Sequence, residues 1–292
     1  MTMRESLTGD DLYSYVILLQ SENSRKKYLL CEGESDCAVL DPHLMEDMCE
    51  TIPGYGNNSV VEAIRIVTAQ RTKGVAALID RDWSKDGQQV SPLAAQTDHY
   101  DIDATIFYSG NVCQRVVSTH CNRDAVKKFL SSGGWDSPIE PATALALPIG
   151  VLRKLNQEQG WGIRCGDTPF DDVAFPDASG IDIEKAVLSA ISRSKKPRVS
   201  QADAGRIASE VAEEMLRVAD PATHCCGHDL NSALSFLMRR KWGGERINKR
   251  SVEKAMRAAF SCVELTSTKF HAGLSSAYAC SRPELFTCLG VG

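Results

Sequence analysis

The sequence predicts an α/β protein with a parallel sheet flanked by helices, followed by a mainly helical C-terminal region. Short apolar runs alternate with helical patterns over the first 110 residues, as in a parallel sheet whose strands are joined by crossover helices. Two of these runs end directly in acidic motifs, which suits the ligand-binding edge of such a sheet. From about residue 120 onward helical periodicity dominates. We therefore predict a sheet domain at residues 1–120 and a mainly helical region at 121–292 that binds nucleic acid or a partner.

The predicted strands of the first domain are residues 28–31, 51–53 and 75–79. An apolar stretch at residues 12–19, a strand or a short helix, precedes them. A helix is predicted from Ser35, its expected N-cap, to about Glu50, and Pro42 should bend or divide it. A second helix, with an apolar face, follows at residues 60–71. This order of strands and helices is typical of right-handed crossovers in a parallel sheet.

The rest of the chain is predicted to be mainly helical. Residues 83–98 read as a polar loop, and residues 99–108 can open another helix. Residues 160–180, rich in Gly, Asp and Pro, and residues 192–198 read as connections. The later helices are predicted at residues 122–132, 142–159, 182–193, 203–219, 229–241 and 250–260.

Composition is that of a globular protein, with 43% hydrophobic and 24% charged residues. No apolar run is long enough to cross a bilayer, and the polar N-terminus does not resemble a secretory signal, so a cytoplasmic protein without membrane partners is expected. In that compartment the 11 cysteines are expected to be reduced thiols.

The charged residues are unevenly distributed along the chain. Residues 1–110 hold 18 acidic and 9 basic residues, whereas residues 181–260 hold 10 acidic and 15 basic residues. This asymmetry suits metal chemistry early in the chain and contact with a polyanion later.

The most informative motifs are the acidic residues that follow two of the strands. Glu32 and Gly33 follow the first strand, and the glycine leaves room for the close approach of a phosphate. Asp80 and Asp82 follow the third strand, and in an extended segment both side chains would leave on one face. Carboxylates gathered at one sheet edge can hold Mg²⁺, with water and phosphate oxygens completing its shell. Alternatively, they are solvated loop residues and caps.

At these residues the chain resembles the Toprim family, whose fold is shared by topoisomerases, primases, recombination proteins and the overcoming-lysogenization-defect class of nucleases. That family has a hydrophobic-Glu-Gly pattern after its first strand and an Asp-x-Asp after its third. Residues 28–36 and 75–83 match both patterns, and the run from Glu32 to Asp36 has the Glu-Gly-x-x-Asp form common among Toprim nucleases.

The chain resembles more closely the Toprim nucleases of bacterial anti-phage defence, including the effectors of PARIS systems. Those proteins tend to carry a Tyr-Asp-Ile-Glu-like element and a later Gly-Lys/His-Asp-Leu element. The chain has Tyr100-Asp101-Ile102-Asp103 and Gly227-His228-Asp229-Leu230 in those places. Asp103 departs from the pattern, which has glutamate at this place, and the aspartate side chain is shorter.

The resemblance implies a magnesium-dependent nuclease, with Mn²⁺ as a possible substitute. Glu32 would be the general base or a metal ligand, Asp80 and Asp82 would be ligands, and Asp36 and Asp103 would support catalysis and metal binding. Cleavage of tRNA after release from an ABC-type ATPase partner is the implied function, with the active form a homodimer. The alternatives are a DNA endonuclease of the same fold and a catalytically idle regulatory subunit.

Two basic clusters are candidates for phosphate contact, which dominates nucleic-acid affinity. They comprise Lys195, Lys196 and Arg198, and then Arg239, Arg240 and Lys241. Trp242 offers a ring for base stacking. The alternative is a solvated loop and a helix C-terminus, where cations are favoured in any case.

The segment from His224 to His228 resembles a metal cluster at first sight. Its adjacent cysteines lack the usual paired spacing of a structural zinc site. Two buried thiols before a helix that starts near His228 are therefore expected, and His228 can still reach a phosphate. The chain has no Walker pattern and no Gly-x-Ser-x-Gly motif, which argues against its own ATP hydrolysis and against a serine hydrolase.

Overall fold

The computed structural model describes residues 7–83, 90–244, 247–278 and 286–288. Contacts divide the chain into two compact units, Met1–Asp98 with Ser261–Gly292, and His99–Phe260. The boundary therefore comes at residues 98 and 99 rather than at 120, and the end of the chain returns to the first unit. The helices after residue 260 belong with the sheet because the longer of them, at residues 269–277, packs on two of its strands.

The first unit contains a four-stranded sheet in which every pairing is parallel. Its strands are β1 (Lys27–Cys31), β2 (Cys49–Pro53), β3 (Val75–Ile79) and β4 (Ala94–Gln96), in the order β2-β1-β3-β4. The register aligns Cys31 with Pro53, Leu30 with Ala77, and Ile79 with Gln96. The predicted α/β class with a parallel sheet is confirmed, and the carboxyl ends of all four strands lie at one edge.

Helices cover the sheet because its strands are apolar on both faces. The helices α1 (Gly9–Glu22) and α3 (Asn57–Ala69) pack on one face, over a core whose strand residues are Tyr28, Leu30, Ile52, Val75, Ala77, Ile79 and Ala94. The ambiguous stretch at residues 12–19 is thus helical. Between β1 and β2, α2 (Glu34–Leu40) ends before Pro42 and only a 3₁₀ turn at Asp41–His43 follows it, so the prediction that the helix continues to about Glu50 is wrong. The N-cap of α2 is Gly33, not Ser35.

Two helices from the end of the chain complete the first unit. They are α13 (Cys262–Thr266) and α14 (Lys269–Ala277), numbered in chain order. Asp98, just after β4, accepts hydrogen bonds from the backbone N–H of Lys269 and Phe270 at 2.9 and 3.1 Å. The α14 helix packs on β3 and β4, where Phe270 and Leu274 are fully buried.

In its described secondary structure, the second unit is helical apart from an isolated β-bridge between Ala174 and Ile181. Its helices are α4 (Ile102–Tyr108), α5 (Val112–His120), α6 (Arg123–Gly133), α7 (Ile139–Gln159), α8 (Phe170–Val173), α9 (Ile183–Ser192), α10 (Ala204–Met215), α11 (Gly227–Arg240) and α12 (Lys249–Ala259). The later six predicted helices match α6, α7, α9, α10, α11 and α12 to within a few residues. One apolar core lies among α7, α9 and α10.

Two further features bear on the sequence predictions. Within the described ranges, every helix is too short or too polar to cross a bilayer. Eight described cysteines are free, as expected, but Cys262 and Cys288 form a disulfide, so the expectation of reduced thiols is wrong for this pair.

Candidate functional site

The two acidic motifs of the first unit meet at the carboxyl edge of the sheet. Glu32 follows β1, and its Oε1 accepts a hydrogen bond from the backbone N–H of Asp80, which follows β3, at 2.9 Å. The same Oε1 accepts a second hydrogen bond from Asn57 Nδ2 at 2.6 Å. Among the described residues, Glu32 Oε2 accepts no hydrogen bond. One oxygen of Glu32 is therefore held by the fold, and the other is available to a ligand.

The environment of Glu32 opposes its ionisation. Burial raises the pKa of this half-buried carboxyl, and the negative charges of Asp82 and Asp36 raise it further. The hydrogen bonds from Asp80 and Asn57 act in the opposite direction but do not cancel the rise. A bound cation would offset the repulsion between Glu32 and these two aspartates, because it favours the ionised form of each neighbouring carboxylate.

Asp36 is held at the start of α2, close to Glu32. Its Oδ2 accepts a hydrogen bond from the backbone N–H of Gly33 at 2.8 Å, and the hydroxyl of Ser35 donates to its Oδ1 at 3.3 Å. The side chain is 9% exposed. Asp36 therefore has a structural role at the N-terminus of α2 and also adds negative charge near Glu32.

The backbone after β3 turns earlier than the Asp-x-Asp pattern suggests. The strand ends at Ile79, and Asp82 lies in a turn with φ of 48°, a conformation that aspartate tolerates better than most residues. The extended segment predicted for Asp80 and Asp82 is therefore wrong, and strand alternation does not set the direction of the Asp82 side chain. The charge of Asp82 nevertheless influences Glu32.

The predicted ligands share an edge without forming a closed cluster. In the described ranges, a set of three possible ligand atoms all within 4.8 Å of one another occurs at His43, Cys262 and Cys288, and not among the acidic residues. A cation at the sheet edge would thus need water or substrate oxygens in its shell. That requirement suits Mg²⁺, which usually retains several such ligands.

Asn57 and Thr97 belong to this edge and were not predicted. Asn57 is the first residue of α3 and orients Glu32, as described above. Thr97 follows β4, and its Oγ1 accepts a hydrogen bond from the backbone N–H of Arg81 at 3.0 Å. The Asn57-Asn58 pair reads as part of a turn, so its sequence carried no sign of this contact.

The two later motifs meet within the second unit. The carboxylate of Asp101 accepts hydrogen bonds from the backbone N–H of Ala104, in α4, and of Gly227, the first residue of α11. A Cβ on Gly227 would lie 2.3 Å from the Cβ of Asp103. Asp101 thus caps two helices at once, and the junction requires glycine at position 227.

Asp103 and Asp229 are each paired with an arginine in the second unit. Both oxygens of Asp103 accept hydrogen bonds from Arg257, at 2.8 and 2.6 Å. Asp229 is 1% exposed and binds Arg153 at 2.5 Å. Burial alone would lower the pKa of Arg153, but the Asp229 carboxylate raises it above its ordinary value. These pairs give Asp103 and Asp229 evident structural roles.

The two arginines of the second basic cluster share one carboxylate partner. Arg239 and Arg240 both bind Asp171, at 2.7 and 2.6 Å. Burial opposes ionisation of Asp171, but the two guanidinium groups hold its pKa below its ordinary value. Lys241 donates a hydrogen bond to the carbonyl of Pro176. A phosphate at this place would therefore compete with Asp171 for the two arginines.

His228 is exposed and is also paired with carboxylates. Its Nε2 lies 3.2 Å from Asp167 and its Nδ1 lies 3.1 Å from Glu253. Lys249 contacts both His228 and Asp167, and its hydrogen bond lowers the pKa of Asp167. As expected, Cys225 and Cys226 are buried before α11.

The first basic cluster lies on an exposed connection after α9. Lys195, Lys196 and Arg198 are exposed, and the backbone N–H of Arg198 donates to the carbonyl of Trp161 at 2.7 Å. The prediction for Trp242 is wrong, because this residue is 0% exposed and its ring contacts Phe129 edge-on. Trp242 is a core residue and cannot stack on a base.

Comparisons with protein-family models and with curated proteins find no match to this chain. The family resemblance therefore stays a prediction from the motifs.

Proposed function

We propose that the chain is a Toprim-type nuclease that uses Mg²⁺ to cleave phosphodiester bonds at the carboxyl edge of its sheet. The observation that carries the proposal is the hydrogen bond from the backbone N–H of Asp80 to Glu32, which links the two acidic motifs. A further support is the raised pKa of Glu32, which burial causes first and the charges of Asp82 and Asp36 increase. Carboxylates in this relation suit a divalent cation.

The residues present fit Mg²⁺ by their chemistry. Glu32 Oε2 accepts no hydrogen bond from the described residues, and Asp80 and Asp82 supply further carboxylates on the turn after β3. When bound, Mg²⁺ supplies positive charge that polarises a phosphate and helps to ionise a water molecule. Glu32, Asp80 and Asp82 would be the residues that hold it.

Each residue at the edge has a distinct role in this proposal. Asn57 and the backbone of Asp80 fix the Glu32 side chain through Oε1, so that Oε2 presents a lone pair in a constant position. In the alternative role of general base, Glu32 Oε2 would accept a proton from the attacking water instead of binding the metal. Gly33 leaves space: a Cβ there would make only ordinary contacts, the nearest at 3.5 Å to Ser35 Oγ. Packing does not require glycine at that position, which suits a role in phosphate access.

The substrate is proposed from the resemblance of the motifs. Toprim nucleases of the defence class point to tRNA as the first substrate, with an ABC-type ATPase holding the effector until infection and a homodimer as the active form. The exposed residues Lys195, Lys196 and Arg198 are the better candidates for phosphate contact, because Arg239 and Arg240 already pair with Asp171.

The proposal is tested by incubating the purified protein with tRNA, other RNA and DNA, in Mg²⁺ or in EDTA. We expect cleavage of tRNA in Mg²⁺ or Mn²⁺ and none in EDTA. Glu32→Gln should lower the cleavage rate by about 100-fold or more, because it removes the charged oxygen that serves as metal ligand or as general base. Glutamine keeps the oxygen that accepts from Asp80 and Asn57, so the fold is retained.

The matched control is Glu34→Gln, which neutralises an exposed carboxylate two residues away and should retain wild-type activity. Cleavage in EDTA, or equal rates for wild type and Glu32→Gln, would overturn the metal mechanism. Cleavage of DNA alone would favour the endonuclease alternative. If Mg²⁺ binds but no substrate is cleaved, the protein is the regulatory subunit or requires its partner.

A further inference from the structure

A second group of possible metal ligands lies in the first unit, apart from the acidic residues. His43 Nδ1 lies 3.4 Å from Cys288 Sγ and 3.8 Å from Cys262 Sγ. His43 and Cys288 are buried, with 7% and 3% of their surfaces exposed, and Cys262 is partly exposed. An imidazole and two sulfurs at one point suit a soft or borderline metal ion far better than they suit Mg²⁺.

Three separate segments bring these side chains together. His43 ends the short 3₁₀ turn after α2, Cys262 is the first residue of α13, and Cys288 follows a β-bridge between Leu44 and Phe286. The backbone N–H of Thr287 also donates to the carbonyl of His43 at 2.8 Å. The backbone contacts around His43 therefore hold the Cys288 segment in place independently of the sulfur chemistry.

The distances fit the ligands of a tetrahedral zinc ion. Zn–N of about 2.0–2.1 Å and Zn–S of about 2.3 Å at a tetrahedral angle place nitrogen and sulfur about 3.6 Å apart. The two distances from Nδ1 lie on either side of this value. Only the sulfurs have to separate, and breaking their disulfide allows this by rotation of the side chains.

We propose that His43, Cys262 and Cys288 form a zinc site in the reduced protein, and that the disulfide is its oxidised, metal-free alternative. The fourth position belongs to water or to an external ligand, because no fourth His, Cys or carboxylate of the described residues joins this group. Zinc binding and the disulfide exclude each other, because zinc is bound by cysteine thiolates and the two sulfurs of a disulfide are not thiolates.

The exchange between the two states balances with a small-molecule thiol as the reductant. Two such thiols give two electrons and two protons to the protein disulfide, which becomes two cysteine thiols, and they leave as their own disulfide. Zinc binding then releases the two cysteine protons, while neutral His43 donates the lone pair of Nδ1. In the reverse direction the small-molecule disulfide oxidises the pair and zinc is released.

The proposal is tested on the full chain by comparing its oxidised form with protein reduced by a phosphine under anaerobic conditions. Zinc affinity is measured by competition with a chromophoric chelator. We expect the reduced protein to bind one Zn²⁺ on the order of 100-fold more tightly than the oxidised protein, because both thiolates become available. Co²⁺ should give thiolate-to-metal charge-transfer absorption only in the reduced form. Equal zinc binding by the two forms would overturn the proposal without any variant.

Variants identify the ligands. Cys288→Ser and His43→Asn should each lose the tight site, whereas Cys121→Ser, which removes a partly exposed free thiol elsewhere, should retain it. Circular dichroism of each metal-free variant confirms that it has folded. If folded Cys288→Ser binds zinc as tightly as the reduced wild type, other cysteines hold the metal and the assignment is wrong.

Discussion

Glu32 is under opposing influences in the metal-free protein. Asp80 and Asn57 donate hydrogen bonds that favour its ionised form, whereas burial and the charges of Asp82 and Asp36 disfavour it. The net effect is a pKa above its ordinary value. An ionised Glu32 therefore lowers the stability of the folded protein. In the proposed magnesium site, a cation bound beside it would remove this destabilisation.

Glu32→Gln should therefore raise the melting temperature of the metal-free protein at pH 7. Because the folded pKa of Glu32 is raised, wild-type stability from this group is fully present below the unfolded pKa and is lost as pH rises through the folded pKa. The higher melting temperature of Glu32→Gln relative to wild type should thus disappear as pH falls toward 4. Calorimetry from pH 4 to 8 in EDTA measures it, with Glu34→Gln as the control. Lower stability of Glu32→Gln at pH 7 would contradict the assignment of the shift.

Saturating Mg²⁺ should reverse this order. Binding to the native state alone stabilises it by about 2.7 kcal/mol when the free ion is 100 times its dissociation constant. The wild-type protein gains this stabilisation, and the glutamine variant loses most of it with the ligand.

At the scale of elements, the junction of α4 and α11 depends on one missing side chain. The carboxylate of Asp101 serves the N-termini of both helices, which requires Gly227 to lie against Asp103 and Ala104. The two motifs were matched separately in the sequence, 126 residues apart. Their contact gives a structural reason for both motifs to be present in this chain.

Gly227→Ala should destabilise the second unit by about 2 kcal/mol or more, because the added Cβ would lie 2.5 Å from the backbone nitrogen of Ala104. The matched control is Gly205→Ala in α10, an exposed position where a Cβ would come no closer than 3.7 Å to Glu184. That change should stabilise its helix by up to about 1 kcal/mol. Urea unfolding of both variants measures the difference. Equal effects would show that the junction can relax around an alanine.

Several elements could be predicted from the sequence because their signals are local. The apolar run of β3, the proline after α2 and the helical periodicity of α12 each act within a few residues. The strand β4 was missed because Ala94–Gln96 is only three residues long and lies within a polar stretch. The acidic edge was predicted because Glu32 and Asp80 directly follow strands, whereas the contact of Asn57 depends on how α3 returns to the sheet.

At the scale of the whole molecule, the first unit is built from both ends of the chain. Asp98 caps α14 across 171 residues of sequence, and the hydroxyl of Tyr278 donates to the carbonyl of Tyr28 at 2.9 Å. Local patterns cannot show such pairings, which is why the predicted boundary at residue 120 assigned the end of the chain to the helical region. The helical unit, in contrast, is one continuous segment from His99 to Phe260.

A chain ending at Phe260 should therefore lose the fold of the sheet while keeping that of the helical unit. Removal of α14 exposes the sheet face that Phe270 and Leu274 cover, and each buried side chain of this size contributes about 1.5–3 kcal/mol. The loss is comparable with the 5–15 kcal/mol that stabilises a typical domain. Hydrogen exchange of the truncated chain should show rapid exchange in β1 and β3 and slow exchange in α7 and α11.

The control is the helical unit alone. Residues 99–260 expressed alone should give the same protection in α7 and α11, because their core lies within that segment. Slow exchange of β1 and β3 without residues 261–292 would mean that the remaining helices suffice to hold the sheet.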